Sequence, residues 1–302
     1  MTFILELLVL FFMKVVNISG GLGNQMFQYA FAISLKCKLQ ENVLIDIHHF
    51  KGYNLHNGFE ISKIFSHASL PIAQKEEIKK VSRYIPNYKL SRIVRKLFHV
   101  KSTEFIASYN YKYLPEVYTI SGDCYFEGYW QSYYYFKDIK KELIAVFEFP
   151  IENDYNKKIR IDIEQNISVG VHVRRGDYIG NTTLGNICNL DYYKRALDVL
   201  LKNKKNYVFY IFSNDIYWCS QNILPMLNGY RVVIVDGNVG GESFYDMYLM
   251  TKCNYLIIAN SSFSWWGAFL NPSSHLVIAP KGWSSYWKQE DIEIYDPKWV
   301  II

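Results

Sequence analysis

Short apolar runs alternate with amphipathic stretches through most of this 302-residue chain. Residues 15–18 read as a strand, 19–25 as a Gly-rich turn and 26–39 as a helix. Residues 43–45 read as a second strand that ends at Asp46. The second half keeps a regular rhythm. Strands at 168–173, 207–212, 231–235, 255–259 and 276–279 alternate with helices at 191–203, 216–227, 243–251 and 263–270. Near-continuous apolar strands joined by helices predict a parallel, doubly wound sheet. Ligands of such sheets lie beyond the carboxyl ends of the strands. The first half opens in the same way, so the expected fold class is α/β, with two Rossmann-like domains facing each other across a cleft. Residues 151–165 are polar and are taken as the inter-domain region, which gives domains 1–155 and 156–302. Residues 51–115 show helical spacing only around 75–81 and 92–98. The basic run Lys89, Arg92, Arg95, Lys96 there reads as a solvated helix face.

Composition narrows the function. A net charge of +5 is too mild for a nucleic-acid coat, but suits a phosphate-bearing ligand or a weak attraction to anionic lipid. The five cysteines are scattered and contain no CxxC, which points to a reducing compartment rather than a disulfide framework. The 26 Tyr, 19 Phe and 7 Trp suit ring-like or sugar-like partners, and serve packing equally well. Residues 3–13 are apolar but too short to span a bilayer. They lack the basic flank and cleavage site of a signal peptide. Residues 1–12 therefore read as an extra tail before a start at Met13, and the chain as soluble or peripheral.

The strongest candidate chemistry lies in residues 169–178, VGVHVRRGDY. Alternation on a strand puts His172 and Arg174 on one face at the ligand end. Two arginines there need anionic partners, with Asp177 available for one and a diphosphate for the other. Residues 259–267, ANSSFSWWG, end a strand and open a helix. Ser261 and Ser262 can cap that helix or bind phosphate. Asp215 reads first as an N-cap and Asp246 as a helix-surface carboxylate. The turn Gly20-Gly21-Leu22-Gly23-Asn24 imitates a dinucleotide fingerprint with Asp46 at the right distance, but Met26 stands where the third small residue belongs. After no apolar strand does an Asp-x-Asp follow, so arginine and helix ends, not a metal, would carry a leaving diphosphate.

Together MKVVNISGGLGNQMFQYAFA (13–32), VGVHVRRGDY (169–178) and NSSFSWWGAFL (260–270) resemble the bacterial α-1,2-fucosyltransferases of glycosyltransferase family 11. FEGYWQSYYYF (126–136) and FSND (212–215) also look like family segments. The resemblance implies a GT-B fold, GDP-fucose as donor, no metal, and inverting transfer to the 2-hydroxyl of a terminal β-galactoside. It places the nucleotide in the second domain and the acceptor mostly against the first. By that match Arg174 holds the β-phosphate, His172 sits by the guanine or ribose, and Ser261, Ser262 and Phe263 contact phosphates and nucleoside. Asp246 falls where a guanine-reading carboxylate stands. Asn24 faces fucose or acceptor. Arg175, Asp215, Gly21 and Gly23 complete the expected donor-side set. The proton acceptor is open: the position where distant relatives carry Glu is Thr182, which leaves Asp177, then Glu127 and Asp46. The expected setting is cytoplasmic, peripheral at the inner membrane face, with a lipid-linked surface-polysaccharide acceptor. Two other classes stay open: an NAD-type oxidoreductase built on the Gly-rich turn and Asp46, and a glycan-binding module built on the aromatics.

Overall fold

The computed structural model describes residues 12–51, 56–98, 100–108 and 111–302, with the side chains of residues 88, 92, 95, 96 and 177 outside that set. The N-terminal tail before residue 12 also lies outside it. Two parallel sheets carry the chain. The first holds β1 (Met13–Asn17), β2 (Asn42–Asp46), β3 (Glu104–Ile106) and β4 (Cys124–Glu127) in the order β2-β1-β4-β3. The second holds β5 (Ile167–Val173), β6 (Tyr207–Ser213), β7 (Arg231–Val235), β8 (Tyr255–Ile257), β9 (Leu276–Ala279) and β10 (Val300–Ile301) in the order β10-β9-β8-β5-β6-β7. β5 is central, and its six last residues are all buried, as its unbroken apolar sequence requires.

Among the described residues, ten α-helices connect and cover the strands. Those of the first half are α1 (Leu22–Leu39), α2 (Ile61–Ile64), α3 (Lys75–Val81), α4 (Tyr88–Leu97) and α5 (Lys140–Val146). Those of the second are α6 (Asp154–Gln165), α7 (Leu190–Leu201), α8 (Ile216–Asn222), α9 (Phe244–Met250) and α10 (Ser262–Phe269). The expected helix at 216–227 stops at Asn222 and continues as a 3-10 turn, Leu224–Leu227, because Pro225 cannot donate to the preceding turn. Residues 151–165 are not a linker. Asn153 caps α6 by accepting from the Asn156 amide at 2.9 Å, and α6 packs against α9 and β5 of the second sheet. A boundary at 155 would cut this helix near its start. Lys89, the one described side chain of the basic run, is exposed as expected, but α4 also turns Leu90, Ile93 and Leu97 to solvent. Among the described residues no helix is long and apolar enough to cross a membrane.

Each sheet keeps a smaller apolar cluster of its own, but the largest is shared between them. The shared cluster runs from Val16, Phe27 and Phe31 of the first half to Tyr245, Met250, Trp265 and Trp266 of the second. Phe27 of α1 sits 4.5 Å from Trp265 and 5.1 Å from Trp266 of α10, between ring centroids. Phe136 and Phe147 pack on Trp266 from the other side. Rings at these separations hold about 0.5–1.5 kcal/mol per pair beyond the area they bury. Much of the aromatic excess is thereby spent on packing. The chain also crosses back late. Tyr133 N donates to the Glu293 carbonyl at 2.9 Å, and Glu293 N to the Tyr111 carbonyl at 2.8 Å.

Candidate active site

α1 and α10 pack side by side, with their N-terminal turns together. Gly23 lies in the first turn of α1, and a Cβ there would stand 2.6 Å from the Ser262 carbonyl carbon and 2.7 Å from the Phe263 nitrogen. The Gly-rich turn therefore brings a second helix close, where a dinucleotide had been the other reading. The indole of Trp266 donates to the Gly23 carbonyl at 3.0 Å and fixes the contact. Above this joint opens a cleft of about 450 Å³, a volume within the ordinary range for ligand sites. Gly21, Gly23 and Asn24 line it from one side, Arg174, Ser261, Ser262 and Phe263 from the other. Asn24 is oriented by Gln131, whose amide donates to its Oδ1 at 2.8 Å.

The second-half wall is built for an anion. β5 ends at Val173, so Arg174 leaves the sheet at its carboxyl end and reaches the cleft, with its guanidinium 5.8 Å from the Tyr178 ring centroid. Beside it α10 begins with Ser261 in extended backbone and no side-chain cap. The Ser261 hydroxyl is thus not used as a cap, and Ser261, Ser262 and Phe263 line the cleft at the positive end of the helix. Asn260 serves differently. Its amide donates to the carbonyls of Leu184 and Trp283 and pins the loops around the cleft.

His172 and Asp246 lie just behind this wall. His172 is buried, its ring stacks 5.8 Å from Phe263, and its Nδ1 has no hydrogen-bond partner among the described residues. Burial, with the Arg174 charge adding to it, pulls its pKa down to about 3, so the imidazole is neutral. Asp246 sits one helical turn from Ser243, a lining residue, and its Oδ1 accepts from Asn238 at 2.8 Å. Burial pushes its pKa up to about 7, against the pull of the Asn238 hydrogen bond. Asn238 is held in turn by a reciprocal amide pair with Asn156 of α6.

Four expected residues are placed elsewhere. Arg175, like Arg174 beyond the end of β5, ion-pairs with Asp215 at 3.2 Å and stacks 4.3 Å over Trp218, and it lines not the main cleft but an adjoining cavity of about 200 Å³ that Arg174 also lines. Asp215 is the N-cap of α8, accepting from the Trp218 amide at 3.0 Å. The carboxylate partner of Arg175 is therefore Asp215; the Asp177 side chain lies outside the described residues. Asp46 is closed off. Its Oδ1 accepts from the amide and ring of His48, and its Oδ2 from the Tyr125 hydroxyl at 2.8 Å. The carboxylate needed for a nicotinamide cofactor's ribose is thus committed to the fold, and so is one of the proton-acceptor candidates. Glu127 ends β4 outside the cleft lining.

Sequence reading missed the first-half wall. His56, Asn57 and Glu60 line the cleft, as do Tyr111, Tyr129 and Gln131. Glu60 is buried, its carboxylate accepts from the Asn57 amide at 2.9 Å, and its backbone N–H donates to Gln25 Oε1 at 2.9 Å. Burial holds its carboxyl above the usual carboxylate range, while Asn57, His56 and Lys63 pull the other way. These residues come from a segment without periodicity, so no helix or strand pattern marks them.

Residues 12–302 match the family model described as glycosyl transferase family 11. The chain is 33% identical over 299 residues to an α-1,2-colitosyltransferase of Escherichia coli, covering 95% of this chain and 98% of that one. It is 30% identical to the O-antigen biosynthesis glycosyltransferase WbnK of Escherichia coli, with 88% and 93% covered. It is 27% identical to the galactoside α-(1,2)-fucosyltransferase 2 of Rattus norvegicus, covering 88% of this chain and 69% of that one. Among solved structures, the fold is similar to the α-1,6-fucosyltransferase NodZ soaked with GDP-fucose, at TM-score 0.50 and 15% identity, covering 87% and 93%. It is also similar to an Arabidopsis thaliana FUT1 mutant in complex with GDP, at TM-score 0.50 and 12% identity, covering 91% and 71%. These two likenesses show the GT-B fold that the resemblance implied.

Proposed function

The chain belongs to glycosyltransferase family 11, and from that premise we propose that it moves fucose from GDP-fucose to the 2-hydroxyl of a terminal β-galactoside, with inversion. The observation that carries this reading is the anion wall: Arg174 beside the uncapped first turn of α10. Transfer leaves a nucleoside diphosphate whose growing charge needs donors already in place. A guanidinium and a helix N-terminus supply them, and we propose that no metal is required. The carboxylate of Asp246 and the buried ring of His172 suit a guanine, whose adjacent N–H groups can both donate to one carboxylate. The acceptor would lie against Asn24, Tyr129 and Gln131 on the other wall. The name of the WbnK relative supports a repeating unit of a surface polysaccharide as acceptor, and a lipid-linked one fits the mild positive charge.

A second donor is favoured by the 33% relative. Colitose is fucose without its 3-hydroxyl, so the same diphosphate and guanine contacts serve both sugars. The test is GDP release from GDP-fucose and from GDP-colitose, with and without lactose, each with a chelator in parallel. Lactose-dependent release from GDP-fucose that survives the chelator is the expected result. Release from GDP-colitose alone would move the donor, and no release while GDP still raises the melting temperature would move the acceptor. Absence of both release and stabilisation would remove the reading.

Donor binding should follow the Asp246 carboxylate. An acid held near 7 is largely protonated at pH 6 and ionised at pH 8, and only the ionised form accepts two N–H donors. GDP is therefore expected to bind about tenfold tighter at pH 8 than at pH 6, the ratio of ionised fractions across that pKa. Titration calorimetry at the two pH values checks this. Asp246→Asn should flatten the dependence.

A further inference from the structure

An inverting transfer needs a proton acceptor on the face of the sugar opposite the leaving diphosphate. The wall opposite Arg174 and α10 holds one carboxylate among the described lining residues, that of Glu60. We propose that Glu60 is the general base that takes the proton of the acceptor hydroxyl. This rests on the glycosyl-transfer reading above. The position suits the task in three ways. Glu60 is buried yet lines the cavity. Its backbone is locked by the Gln25 side chain, itself bonded to the Gly20 and Gly58 carbonyls at 2.9 and 2.7 Å. Its Oε1 is engaged by Asn57, whose amide also reaches the Gly240 carbonyl of the second half at 3.1 Å. The base is thus tied to both walls.

In the step, the acceptor oxygen forms its bond to the anomeric carbon while the bond from that carbon to the β-phosphate oxygen breaks. The hydroxyl proton goes to Glu60. The electron pair of the broken bond stays on the diphosphate, where Arg174 and the α10 amides meet the charge. A base must be ionised in the free state, and burial makes that harder for Glu60. The charged and titratable groups that act on it are His56 from its own segment and Lys63 from α2; Asn57 and Gln25 bond to it as neutral groups, and Arg174, Tyr111, Tyr129 and Tyr178 are the other titratable side chains that line the cavity. Activity should therefore fall on the acid side, through a group above the usual carboxylate range. Because Asp246 acts on donor binding, its titration belongs in kcat/KM, and that of Glu60 in kcat.

The test is Glu60→Gln, which keeps volume and an acceptor for Asn57. Lactose-dependent turnover is expected to drop a hundredfold or more, the scale of a lost general base. The GDP-induced rise in melting temperature should stay, and the acid limb of kcat should vanish. Azide carries no proton, so it should restore GDP release in Glu60→Gln. Turnover within threefold of the parent overturns the proposal. So does a loss that azide does not relieve, or one transferred to His56→Gln with its pH limb. If the parent protein itself neither binds GDP nor releases it, the transfer reading fails before the base is in question.

Discussion

Arg174→Ala is expected to lower kcat/KM by a hundredfold or more, about 3 kcal/mol of lost transition-state stabilisation. The reason is placement. β5 delivers Arg174 to the cleft at the sheet's carboxyl end, next to amides that no side chain caps. Charge accumulates on the leaving diphosphate only as the glycosidic bond breaks, so the arginine contributes more to the transition state than to the ground state. Arg174→Lys keeps the charge and loses the planar fork, so an intermediate loss is expected. Arg175→Ala sets the contrast. That guanidinium is spent on Asp215 and Trp218, so its removal should lower the melting temperature and leave donor turnover mostly intact. Steady-state rates of the three variants with thermal scans in parallel check the order. Equal rates for Arg174→Ala and the parent would end its assigned role.

Gly23→Ala decides between two opposing effects. Alanine in a helix is favoured over glycine by roughly 1 kcal/mol. Against this, the new Cβ would stand 2.6 Å from the Ser262 backbone, which belongs to another helix and cannot rotate aside. Overpacking of this kind costs about 1–3 kcal/mol, so the clash wins. Relief requires α10 to move away from α1, and the start of α10 is the anion wall. The variant is expected to melt about 5 °C lower, given roughly 2–4 °C per kcal/mol in a chain this large. The donor KM should rise about tenfold, as expected when a wall that binds donor and transition state alike shifts. A rise in melting temperature with unchanged KM would mean that α10 yields without cost.

The second half was nearly readable from sequence, because its strands are central and apolar and its helices keep a 3.6-residue period. The first half was less so. Lys14 is a charged residue in β1, yet it is fully buried. β1 lies between β2 and β4, and the ammonium finds the Ile120 and Gly122 carbonyls and Glu41. No local pattern encodes such partners from distant segments. The wall of Arg174 and α10 was legible because a strand end and a helix start mark it in one stretch of chain each. The opposite wall was not, because His56, Tyr111 and Gln131 converge from irregular segments. Asp215 emerged as the salt-bridge partner of Arg175 only in three dimensions.

The aromatic joint between α1 and α10 has a consequence for how this enzyme can diversify. Phe27, Phe136, Trp265 and Trp266 form one packed body, so neither half keeps a finished surface when parted from the other. The two halves are therefore not interchangeable modules. A chimera with a relative must carry both sides of that joint from the same parent, or repack them together. New acceptor preferences are more easily reached through the irregular segments that rim the cleft, which can change without disturbing the joint beneath.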